Sequence, residues 1–173
     1  MSTPPSSGPG GKPTARSRLT LSRVMGPADV NLMGTVHGGV MLRLIDEVAG
    51  VVAARHAEGA AVTAFMDEMA FLVAVHIGDV VHVHAQVNWA GTTSMEVGVR
   101  VTADRWNDSV PATHVASAYL VMVAIDQDGQ PRPVPPVIPD NAENHRRFRE
   151  ALIRRQHRLT RRSAIVASRE AGR

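Results

Sequence analysis

The chain has 173 residues, a hydrophobic fraction of 44% and a formal net charge of +3, which fits one domain with a core of its own. It contains no cysteine, which excludes a disulfide framework, thiolate-bound zinc, a redox dithiol and a thiol nucleophile. Aromatic residues are 3%, so the core must be aliphatic, and with neither a signal-peptide core in Met1–Pro13 nor a run of roughly 18 apolar residues, a soluble cytoplasmic protein is expected.

Residues 1–17 are rich in Ser, Thr, Pro and Gly and are expected to be a disordered tail. Leu19 to Met25 reads as a short strand broken by Gly26-Pro27, and a loop runs from Ala28 to Val36. His37-Gly38-Gly39 opens a helix whose apolar residues Val40, Leu44, Val48, Val51 and Val52 recur at helical spacing, with Met41 and Ile45 filling in. It is apolar on most sides, which predicts a buried helix. It runs to about His56, with Gly59 as its stop.

From Val62 the period changes to two. Val62, Ala64, Met66, Glu68, Ala70 and Leu72 are expected on one face, and Thr63, Phe65, Asp67, Met69 and Phe71 on the other. Val80–Ala90, Ser94–Ala103 and Ala112–Asp126 are three further strands, joined by turns at Gly91-Thr92 and elsewhere. Prolines from Pro131 to Pro139 keep the chain extended. Asp140 or Asn141 then caps a last helix through about Ala167. One helix buried against a long antiparallel sheet is an α+β layer architecture. The domain is expected over 18–139, with a basic C-terminal helix and tail over 140–173. Arg146, Arg147, Arg149, Arg154, Arg155, Arg158, Arg161 and Arg162 are opposed only by Glu150. Such a run is a solvated face, a subunit contact or an anion-binding arm, and no nucleic-acid motif accompanies it.

The stretch from Asn31 to Glu47 concentrates the candidate chemistry. Two glycines at a helix start allow close approach of a ligand, and the free N–H groups there stabilise negative charge. Asp46, two turns into an apolar helix, is either a catalytic carboxylate or, with Glu47, the helix's polar edge. His82 and His84 share a strand face, but no third ligand stands at a telling spacing, so no metal site is expected. No Gly-x-Ser-x-Gly elbow is present.

This stretch resembles the signature of hotdog-fold acyl-CoA thioesterases of the cytosolic acyl-CoA hydrolase branch. The similarity continues at Val62-Thr63, Phe71, Ile77–Val81 and Gly91–Met95, and covers roughly Leu19 to Pro133. The resemblance implies a hotdog fold, a long helix wrapped by a curved antiparallel sheet. It implies a dimer with sites at the interface, and often a trimer of dimers, that is, a hexamer. Residue by residue, it implies a catalytic pair of Asn31 and Asp46 from opposite subunits, with the Gly39 N–H at the oxyanion. Asp46 would act as general base or as nucleophile. His37, Gly38, Thr63 and the turn Gly91, Thr92, Thr93 and Ser94 would contact substrate, although that turn also reads as an ordinary hairpin connection. Arg55 and the Arg146–Arg162 run are candidates for the CoA phosphates. Met66, Met69 and Phe71 are candidates for the acyl lining. The expected activity is hydrolysis of acyl-CoA to fatty acid and CoA, without a cofactor. The alternatives are a non-catalytic acyl-CoA-binding protein and a nucleic-acid-binding protein.

Overall fold

The long apolar run after His37 forms helix α1 (Gly38–Ala57) in the computed structural model, which describes residues 10–172. Met41, Leu44, Ile45, Val48 and Val52 are buried, each contributing about 2 kcal/mol of apolar transfer. They pack against a five-stranded antiparallel sheet in the order β2-β4-β5-β6-β3. Its strands are β2 (Leu19–Val24), β3 (Ala61–Phe71), β4 (Asp79–Ala90), β5 (Ser94–Arg105) and β6 (Thr113–Ala124). Alternation puts Val83, Val97, Val101 and Leu120 on the core face, all essentially inaccessible. The α+β layering read from the sequence, and the long helix against an antiparallel sheet that the resemblance implies, are the observed arrangement.

Helix α2 (Ala142–Ala171) crosses the other face of the sheet. Asn141 caps it, accepting from the Asn144 N–H at 2.9 Å. It lies on polar residues the sheet turns outward: Gln86 Nε2 donates to Asn144 Oδ1 at 2.8 Å, and Arg154 Nη2 pairs with the buried Glu96 at 2.6 Å. Arg154 also lies 3.6 Å from the Tyr119 ring centroid, and Arg158 pairs with Asp67.

Four expectations change. Residues 10–17 are ordered, not a tail: β1 (Lys12–Pro13) pairs in parallel with β7 (Val137–Ile138). Ser17 Oγ accepts from the Val87 N–H at 3.1 Å, and Lys12 Nζ donates to His56 O at 2.8 Å. Polar side chains satisfying backbone groups hold this stretch, so apolar content is no guide to it. Residues 1–9 lie outside the described residues.

Second, α1 is not buried all round. Leu42, Arg43, Asp46, Glu47 and Val51 form an exposed stripe. Third, β3 does not keep period two. Its register shifts between Thr63 and Phe65 and again between Met66 and Glu68. The bulges leave Thr63, Met66 and Met69 on the α1 side, while Phe65 and Asp67 meet α2. Fourth, α1 ends on Glu58, whose φ of 55° is left-handed; Lys12 Nζ holds its carboxylate at 2.6 Å.

Candidate active site

Asn31 is set by the turn before it. Pro27–Asp29 forms one 3₁₀ turn, and the buried Asp29 accepts from Gly26 N at 2.9 Å and from Arg23 Nη2 at 2.6 Å. Its carbonyl accepts from the His37 N–H at 2.8 Å. Between these anchors the chain makes a loop closed by an antiparallel bridge of Val30 and Val36. Gly34, at φ 76°, takes the conformation the loop requires. Asn31 Oδ1 accepts from Met33 N (2.8 Å) and Thr35 N (3.3 Å), and Nδ2 donates to Thr35 Oγ1 at 3.0 Å. An amide nitrogen carries two N–H groups, so one remains for a ligand.

Asp46 projects from the exposed stripe of α1. Its Oδ1 accepts from Thr63 Oγ1 at 2.6 Å. That hydroxyl also lies 3.4 Å from Met122 Sδ, at the floor of the sheet. The first bulge of β3 lets Thr63 turn toward α1 while Phe65 turns away. Asn31 and Asp46 make no hydrogen bond to each other among the described residues.

His37 is the N-cap of α1: its Nδ1 accepts from the Gly39 N–H at 2.9 Å, so its proton sits on Nε2. The Gly39 N–H, expected at the oxyanion, is therefore engaged while this cap stands. Val40 N bonds back to His37 O at 2.9 Å. Gly38 packs its Cα against Phe71, whose ring would be 3.5 Å from an added Cβ. Gly38 and Phe71 line a cavity of about 380 Å³ with Met41, Val36, Val75 and Val115. Met66 and Met69 do not line it; they pack against the core.

The turn Gly91–Ser94 joins β4 to β5. Gly91 N donates to Ser94 O at 2.8 Å, and a Cβ on Gly91 would come within 2.6 Å of Trp89 Cη2. The carbonyls of Thr92 and Thr93 accept from Val134 N and Ala124 N, which ties the proline-rich segment to the sheet. These carbonyls have a structural task, and the hydroxyls of Thr92, Thr93 and Ser94 are what the turn offers a ligand.

His82 is held between Ser22 (2.7 Å) and Asp104 (3.2 Å), and His84 between Thr20 (2.9 Å) and Thr102 (3.3 Å). Among the described residues no group of three metal-ligating side chains gathers. Arg154, Arg158 and Arg161 face Glu96 and Asp67, and Arg146 and Arg147 face Glu143 and Glu150. Sequence reading missed Asp29 and Arg23, which fix the Asn31 loop; the Gly-Pro-x-Asp pattern of a short helical turn was their available signal.

The sequence model of the thioesterase superfamily matches residues 33–105. The uncharacterized acyl-CoA thioester hydrolase YkhA of Bacillus subtilis is 37% identical over 140 residues, covering 81% of this chain and 80% of that protein. The chain belongs to the thioesterase superfamily. Among other relatives of this superfamily member, the mouse cytosolic acyl coenzyme A thioester hydrolase is 38% identical over 78% of this chain. The match spans about a third of that protein's length, 35%. An apo-hexameric acyl-CoA thioesterase superposes with a TM-score of 0.85 at 38% identity, covering 88% of this chain and 97% of that one. The acyl-CoA hydrolase of Staphylococcus aureus, solved with butyryl coenzyme A and coenzyme A, does so with a TM-score of 0.85 at 33% identity, covering 92% and 96%. That hydrolase has also been solved with an asparagine, an aspartate and a threonine each replaced by alanine. The aspartate follows the asparagine by fifteen positions, and the threonine follows the aspartate by seventeen.

Proposed function

We propose that this protein hydrolyses acyl-CoA thioesters to a carboxylic acid and CoA, at sites shared between two copies of the chain. The observation that carries the reading is the Asp46–Thr63 pair: a carboxylate on the exposed stripe of α1, held by a hydroxyl that a bulge has turned toward it. Asn31, Asp46 and Thr63 have the same spacing as the three positions replaced in the Staphylococcus aureus hydrolase, which supports giving them a shared task.

In this reading Asp46 takes a proton from water as the water oxygen attacks the thioester carbonyl, or attacks that carbon itself to form an anhydride that water opens. Thr63 fixes the carboxylate rotamer. The free N–H of Asn31, from the other copy, orients the water or the carbonyl. The oxyanion lies at the N-terminus of α1, where Gly39 becomes available when His37 gives up its cap. The C–S bond then breaks, and the CoA thiolate leaves and takes up a proton. The acyl chain enters the cavity beside Phe71, whose volume lies in the usual range for small-ligand sites. Assembly is a two-fold dimer, built on into a trimer of dimers, and the protein works in the cytoplasm; no helix among the described residues is long and apolar enough to cross a membrane. Five arginines of the run, Arg146, Arg147, Arg154, Arg158 and Arg161, face carboxylates of the chain itself, which argues against a nucleic-acid role.

Free-thiol release from a panel of acyl-CoAs, short to long, tests this. Wild type turns over and Asp46→Ala loses activity by at least about a hundredfold. A folded Asp46→Ala variant with undiminished turnover sinks the assignment.

A further inference from the structure

We propose that a wall formed by Val73, Ala74 and Val115 sets an upper limit on acyl length, so that short and medium chains are the substrates. The inference rests on the proposed acyl-CoA hydrolysis and names the class of acyl group that the same site takes.

Val115 owes its place to an irregularity in β6. Ala116, Ala118, Leu120, Met122 and Ala124 alternate onto the core face and are essentially inaccessible. Carried one step further, that alternation would bring His114 there. The register against β5 shifts instead. Ala116 pairs with Val101 and His114 with Thr102, which leaves Val115 without a partner on β5. Such a bulge re-aims the side chains beside it. Val115 is buried at 3% exposure. His114 turns to the outer face, where its Nε2 lies 2.9 Å from Ser117 Oγ. The Val115 carbonyl accepts from the Leu72 N–H at 2.9 Å, and Val36 N–H donates to Val75 O at 2.8 Å. These bonds pin both ends of the segment that carries Val73 and Ala74. An apolar wall stands where a regular strand would have put an imidazole.

Two cavities meet at this wall. The one beside Phe71, about 380 Å³, and a second of about 300 Å³ both have Val73, Ala74 and Val115 in their lining. The rest of the first lining is apolar: Val36, Gly38, Met41, Phe71, Leu72 and Val75. The second adds His76, Asp79, Asp104, Arg105 and Asp108. Asp79 accepts from the His76 N–H at 2.8 Å and pairs with Arg105 Nη1 at 3.2 Å. A methylene pushed past the wall would exchange apolar contacts for charged groups and would displace their water. A chain that ends at the wall keeps all its methylenes in apolar contact. One methylene more or less in a hydrophobic pocket changes discrimination by roughly tenfold or more.

The test measures kcat/KM by free-thiol release from octanoyl-CoA and palmitoyl-CoA, below micelle-forming concentrations, for wild type, Val115→Ala and Val73→Ala. The palmitoyl-to-octanoyl ratio is taken within each protein, so a loss of active material cancels. Val73 is half exposed, so its variant thins the wall without touching the core and carries the test where Val115→Ala does not fold. Wild type is expected to favour octanoyl-CoA by at least about tenfold, and each variant to raise the ratio by at least about fivefold. A wild type that turns over palmitoyl-CoA as readily as octanoyl-CoA overturns the proposal. So does an unmoved ratio in folded Val115→Ala or, where that variant does not fold, in Val73→Ala. Dissociation constants for the non-hydrolysable octyl and hexadecyl thioethers of CoA give the same ratio without turnover. A protein that releases no thiol yet keeps this chain-length order in binding would contradict the hydrolase reading and support the wall.

Discussion

At the residue scale, two side chains show how context sets chemistry. Thr63 Oγ1 donates to Asp46 at 2.6 Å, a hydrogen bond to a charged acceptor of about 1.5–3 kcal/mol. Thr63→Val keeps the shape and removes the donor. The expected result in steady-state kinetics is a fall in kcat of about tenfold to a hundredfold with KM little changed; an unchanged kcat would count against the positioning role. His56 is the second case. It is buried at the end of α1, with Nε2 donating to Pro135 O at 2.8 Å and Nδ1 without a partner. Burial pushes its pKa below the ordinary value of 6.5. The unfolded chain therefore binds a proton that the folded chain refuses. The stability from this group is full above about pH 6.5 and is lost as the pH falls from there toward the lower folded value. Urea midpoints for wild type and His56→Leu, taken at pH 8 and pH 5.5, should show a steeper acid loss in wild type. Parallel losses would contradict this. Asp46 was legible in the sequence because a carboxylate interrupts an apolar helix. The His37 cap on Gly39 was not, since it depends on a side-chain rotamer that two glycines leave free.

At the scale of elements, β3 departs most from what its sequence suggests. Ala61 to Phe71 alternates well enough to read as a regular strand, and nothing in the composition of a bulge announces it. The consequence is functional, since an unbulged strand would put Thr63 on the face of Phe65 and Asp67, away from Asp46. The short β1–β7 pairing was hidden for another reason: its two strands are about 125 residues apart and two residues long. The succession of strands along the chain, the Gly91–Ser94 turn and both long helices were legible because hydrophobic period and turn residues agree there, whereas the pairings of β2 with β4 and of β3 with β6 join segments that are not neighbours in sequence. Helix α2 is fixed to the sheet by a buried ion pair, with Glu96 at 2% exposure. Arg154→Ala leaves that carboxylate buried and unpaired, at a cost of about 3–5 kcal/mol. Equilibrium urea unfolding should show that loss, and Arg154→Leu with Glu96→Leu should recover most of it. A loss under about 1 kcal/mol for the single variant would mean α2 is held by its other contacts.

At the scale of the whole molecule, the single chain leaves apolar surface uncovered on the exposed stripe of α1, on the β3 edge and at Leu32 and Met33 beside Asn31. Asn31 and Asp46 lie on different elements and make no hydrogen bond to each other among the described residues. If they act together, they do so across a two-fold axis, and that is the central claim. The most direct measurement co-expresses two differently tagged chains, Asn31→Ala and Asp46→Ala, and assays the purified hybrids for acyl-CoA hydrolysis. Each hybrid dimer would contain one site with both residues intact and one with neither. The purified hybrids should therefore recover about half of wild-type turnover. Hybrids that pair and fold yet stay as inactive as either variant alone would contradict a site shared between subunits.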